Sequence, residues 1–139
     1  MGFIKDIAFG RISSPDLDLQ EQFLLDFGMV RVARTDDALY MRGTDPEHHV
    51  HVTHLGDADW IGLAFEANSA DALTQMSQKE GASAIEDIDE PGGGKRVRFT
   101  DPEGKQIEVV HGIEELPKIP VRKVLLNQGD ERFLRTGVI

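Results

Sequence analysis

A chain of 139 residues has the length of one compact domain and can bury roughly two-thirds of the surface it exposes when unfolded. It contains no cysteine, which excludes a disulfide framework, thiolate metal sites and cysteine nucleophiles. A net charge of −10 disfavours nucleic acid and anionic membranes as partners, and no apolar run approaches the length of a membrane span. With no long apolar core at the N-terminus, the expectation is a cytoplasmic protein that binds neither.

In chain order, Phe3 to Ile12 reads as a first strand. Ser14-Pro15-Asp16 has the chemistry of a helix start: a capping hydroxyl, proline in the first turn, and an acid at the positive dipole end. Leu19, Phe23 and Phe27 recur at intervals of four, with Leu17 and Leu24 one heptad apart, and predict one buried stripe ended by Gly28. Strands follow near 29–34, 38–42 and 48–54, divided by Asp36-Asp37 and by Gly43-Thr44-Asp45-Pro46. A strand at about 60–67 opens a second series. Asn68 or Ser69 caps a helix carrying Leu73 and Met76, which Gly81 ends. Strands near 83–88, 95–100 and 105–111 complete it, with Pro91-Gly92-Gly93-Gly94 and Asp101-Pro102-Glu103-Gly104 as turns.

The two series are copies. IKDIAF (4–9) aligns with WIGLAF (60–65), and DPEHHVHVTHLG (45–56) with DPEGKQIEVVHG (101–112), both at an offset of 56. The expected domain is residues 1–112, in modules of about 1–56 and 57–112, each β-α-β-β-β. Residues 113–139 read as a connector or tail leading toward a further domain. Pro117 and Pro120 break regular structure there, and Val121 to Leu126 forms at most one short strand or helical turn.

A doubled βαβββ unit whose last hairpin carries Phe99-Thr100-Asp101-Pro102-Glu103-Gly104 and Ile107-Glu108 resembles the vicinal oxygen chelate superfamily, which includes glyoxalase, bleomycin-resistance proteins and extradiol dioxygenases. Leu39-Tyr40-Met41-Arg42-Gly43, the following Asp45-Pro46-Glu47-His48-His49, and Trp60 to Glu66 are most similar to the N-terminal domain of two-domain extradiol dioxygenases. The resemblance implies an α+β fold, two tandem modules forming a curved, cup-like mixed sheet with helices outside. It also implies a homodimer, and a non-catalytic domain acting as scaffold for a second domain that holds Fe(II).

In that family the ligands lie on the first and last strand of each unit. The repeat puts these positions at Asp6, Gly62, Val52 and Glu108. Two lack a donor, whereas a ferrous centre needs two histidines and a carboxylate; no cofactor is expected in this chain. Glu108 is the family's carboxylate, or else a polar residue on a solvated sheet face. In the run His48 to His54, His49 and His51 share strand parity and are able to hold Zn²⁺ or Ni²⁺, but Val52 faces the cup by the repeat register. The histidines are therefore assigned to a solvated face open to adventitious metal capture, and His111 to a strand end. The triple glycine before Lys95 lacks the phosphate-loop spacing and reads as a hairpin loop, while Lys95, Arg96 and Arg98 read as surface charges. Ser13-Ser14 has no nucleophile-elbow context.

Two alternatives to the scaffold role stand. One is a metal-free binding protein of the bleomycin-resistance type, for a cationic or aromatic small molecule. The other is an atypical single-domain metalloenzyme using Asp6, Glu108 and a histidine such as His51.

Overall fold

A computed structural model describes residues 2–120; Val121 to Leu126, for which a short element is expected, lie outside them. The first series folds as β1 (Ile4–Ser14), α1 (Leu17–Asp26), β2 (Val30–Arg34), β3 (Ala38–Arg42) and β4 (His51–Leu55). The second folds as β5 (Asp59–Ala67), α2 (Ala70–Ser77), β6 (Glu86–Asp87), β7 (Lys95–Thr100) and β8 (Gln106–His111). All eight strands join one mixed sheet in the order β2-β3-β4-β1-β5-β8-β7-β6. Within each unit the first strand pairs in parallel with the last, and β1 and β5 join the units antiparallel at the centre. This is the expected α+β architecture.

Adjacent residues of a strand serve opposite faces, and the packing follows from that. Leu39 and Met41 of β3 pack with Leu17 and Leu24 of α1, while Val97 and Val109 pack with Ala72 and Leu73 of α2. Both helices thus cover one face. Tyr40 and Val110, next in sequence, turn to the other face with Phe9, Val52 and Ala64. That face is the cup.

Several local expectations are corrected. Asp16 rather than Ser14 caps α1, accepting the Leu19 amide, because Pro15 defers the first helical turn. Ser69 caps α2 through the Ala72 amide. The predicted stripe of α1 divides in two: Leu17 and Leu24 are buried, but Leu19, Phe23 and Phe27 are 69%, 61% and 66% exposed. At 100° per residue the second set is turned about 70–150° around the helix from the first. Phe23 and Phe27 stack on each other there, ring centres 6.2 Å apart.

The last strand of the first series, β4, begins at His51, not His48. Residues 44–47 are held instead by the segment after β8: Leu116 and Ile119 donate amides to Pro46 and Thr44, and Glu47 bridges to Glu115. Arg42, buried, reaches the same segment through the Pro117 carbonyl. Gly92, Gly93 and Gly94 all take positive φ, so the triple glycine is a conformational requirement of the turn before β7.

Candidate functional site

The floor of the cup is polar, and its centre is Arg11 of β1. The residue is 2% exposed, yet each of its five side-chain N–H donors has an acceptor. Nε donates to Glu108 at 2.5 Å and Nη2 to the other oxygen of Glu108 at 3.2 Å, a bidentate pair with a carboxylate that is itself 1% exposed. Nη2 and Nη1 reach Glu90 at 2.8 and 3.3 Å, and Nη1 meets His54 Nε2 at 2.9 Å. Since the guanidinium only donates, His54 accepts through Nε2 and carries its proton on Nδ1. The Phe9 ring lies 4.9 Å below the Arg11 carbon, adding a cation–π contact.

Arg96 of β7 extends the network. It donates to Glu108 at 3.1 Å and to Glu86 at 2.8 Å, and Arg98 also pairs with Glu86. Three arginines and three glutamates thus neutralise one another. Burial on its own pushes the Glu108 carboxyl up, but the hydrogen bonds and charge of Arg11 outweigh it and hold the group below its usual range. Burial likewise lowers Arg11, and its bonds to Glu108 and Glu90 reverse the sign. Burial pushes Tyr40, on the same face, up to about 12.

This geometry revises the sequence reading of Glu108 and Arg96: neither sits on a solvated face. It also revises the register of the repeat. Val52 and Glu108 stand 56 apart, but the first-strand residues beside them, Arg11 and Ala64, stand 53 apart. β1 contains three register irregularities against β5, so identities along IKDIAF and WIGLAF do not mark equivalent places. Asp6 accordingly pairs with Glu66, is exposed, and caps the amide of Ile7. Gly62 has no room for a side chain, because a Cβ there would lie 1.9 Å from the Gln106 carbonyl oxygen. His51 bonds Thr53 Oγ1, and Thr53 lies opposite Leu39 of the helix-covered face. The structure therefore does not bring Asp6, His51 and Glu108 together. Among the described residues, no three histidine or acidic side chains are disposed to hold a metal ion.

His49 is buried, against the expectation of a solvated face. The irregular backbone before β4 breaks its parity with His51 and lays its ring beside Phe9 (4.6 Å) and Tyr40 (5.5 Å). His48 and His49 share a contact between their Nδ1 atoms at 2.9 Å, while His49 Nε2 has no partner. Both rings line a cleft of about 50 Å³ at the cup's edge, bordered by Glu47, Glu66, Glu114 and Glu115. The signal for this site was the aromatic and imidazole content of 40–49. Arg11 gave none, because its partners Glu90 and Glu108 are remote in sequence.

The comparisons with known proteins bear on this geometry. No protein-family model matches the sequence. Metapyrocatechase of Geobacillus stearothermophilus is 26% identical, the match covering 93% of this chain and 42% of that protein. The Mn(II)-bound glyoxalase of Novosphingobium aromaticivorans superposes with a TM-score of 0.77 at 24% identity, over 88% of this chain and 44% of that one. Homoprotocatechuate 2,3-dioxygenase of Brevibacterium fuscum, in complex with 3,4-dihydroxyphenylacetate, does so with a TM-score of 0.73 at 21% identity, over 84% and 39%. The chain has the vicinal oxygen chelate fold of these glyoxalase and dioxygenase structures and is similar in sequence to metapyrocatechase. It spans less than half the length of each of these relatives. The metal that the fold implies does not fit the residues present. Glu108, the carboxylate expected as a ligand, is committed to two arginines, and the positions around it include Arg11, Val52, Gly62 and Ala64.

Proposed function

We propose that this chain is a non-catalytic domain of an extradiol (catechol-type) dioxygenase-like protein, of the kind that precedes and supports an iron-bearing second domain. The observation that carries the proposal is the buried Arg11–Glu108 pair. It ties up Glu108, the carboxylate expected as a metal ligand, in a buried ion pair on the floor of the cup. The partial coverage of the relatives and their sequence likeness support the same reading. The test is oxygen uptake by the chain with catechol after anaerobic loading with ferrous iron. The expected rate is that of the iron blank; ring cleavage by this chain would sink the proposal.

A second reading, a metal-free binding protein, has one observation in its favour. The cleft beside His48 and His49 presents three glutamates, Glu47, Glu114 and Glu115, with no ion-pair partner among the described residues, and an imidazole nitrogen without a partner. At about 50 Å³ it has room for a few water molecules or one small cation. On this reading methylammonium chloride raises the melting temperature above that in equal sodium chloride. Coincident melting curves would remove it.

A further inference from the structure

Arg11 meets three groups brought in from separate parts of the fold: His54 from β4, Glu108 from β8 and Glu90 from the turn between β6 and β7. One imidazole and two carboxylates form a donor set suited to Mn²⁺, Fe²⁺ or Zn²⁺. In this protein the three converge on a single organic cation at distances of 2.5 to 2.9 Å. A divalent ion needs its donors at about 2.0–2.3 Å. The guanidinium spreads its charge over three nitrogens and holds the donors apart. The donors are already oriented, Glu108 fully buried and His54 and Glu90 partly so: Glu108 is also held by Arg96, and His54 is held in the tautomer that offers Nε2.

We infer that Arg11 is a resident cation standing where a divalent ion would otherwise sit, and that removal of its side chain opens a divalent-cation site on His54, Glu90 and Glu108. The native chain is thereby closed to metal at the cup, whatever role the domain serves. The guanidinium cannot be deprotonated in a protein, so no accessible pH opens the site.

The experiment is a Mn²⁺ titration followed by paramagnetic broadening of the Val52 and Val110 methyl signals, both of which line the cup. In the native protein these signals stay sharp at millimolar Mn²⁺. In Arg11→Ala they broaden at stoichiometric metal, and the melting temperature rises by roughly 5–10 °C at a hundredfold excess over Kd. Adding Glu108→Gln to Arg11→Ala abolishes both effects. Arg11→Gln, which keeps a donor beside Glu108, carries the test if Arg11→Ala does not fold. Broadening of the cup methyls in the native chain overturns the inference. So do sharp cup methyls in the folded variant, including the case where only signals near His51 broaden.

Discussion

Arg11→Leu is expected to destabilise the domain by about 3–5 kcal/mol, the cost of removing one member of a buried ion pair and leaving the other desolvated. Glu108, 1% exposed, would keep Arg96 as its ion-pair partner among the described residues, with a hydrogen bond from Gln106. Glu90, whose side chain is 21% exposed, is able to regain water. The pair itself is a different matter from its breakage, because taking both charges out of water offsets much of their mutual attraction. The double variant Arg11→Leu, Glu108→Leu is therefore expected within about 1–2 kcal/mol of the native chain, since apolar replacement of a buried pair is often near neutral. Arg96 retains Glu86 in that protein, so it is not left without a carboxylate. Urea unfolding of the two single variants and the double variant measures this directly. A double variant as unstable as the sum of the singles would mean that the pair acts through something other than compensated burial. Against a total stability of 5–15 kcal/mol for a typical domain, the single variants stand near the limit of folding.

The same pair explains where the sequence was and was not legible. The two modules were readable because internal repetition is a one-dimensional signal. DPE and the closing glycine fall at matching places in both last hairpins, and each helix start carries its own capping chemistry. Side-chain direction was a harder matter. Parity along a strand predicts facing only while the strand is regular, and it failed where β1 is irregular and where His48 and His49 precede the start of β4. Asp6 was thus assigned a place that the sheet gives to Arg11. The stripe of α1 misled for a related reason. Leu19, Phe23 and Phe27 have helical spacing, and so do Leu17 and Leu24, and spacing alone does not say which set meets the sheet. The sheet chose the narrower pair. Arg11 and Glu108 lie in different modules, and their contact exists only once β1 and β5 are paired and β8 is laid beside β5.

The second large effect is acid lability below neutral pH. His48, His49, His51 and His54 all have lowered pKa values, in each case chiefly because burial disfavours the charged ring. For His49 the value falls to about 3, with the neighbouring His48 and Arg11 adding to the burial effect. In the unfolded chain these rings titrate near 6.5. Between 6.5 and the folded value the unfolded state binds more protons, so stability is complete above about pH 6.5 and is lost as pH falls. His49 alone removes about 1.4 kcal/mol per pH unit across that window, or about 2 kcal/mol by pH 5. Glu108 adds to the loss below its ordinary range, because its folded value is also depressed and its stabilisation disappears on protonation. The melting temperature is therefore expected to be level from pH 8 to 7 and to fall steeply from 6.5 downward. His49→Phe, which keeps a ring between Phe9 and Tyr40 but binds no proton, should flatten the slope between pH 6.5 and 5 relative to the native chain. A melting temperature unchanged from pH 7.5 to 5 would show that the four imidazoles reach water in the folded state.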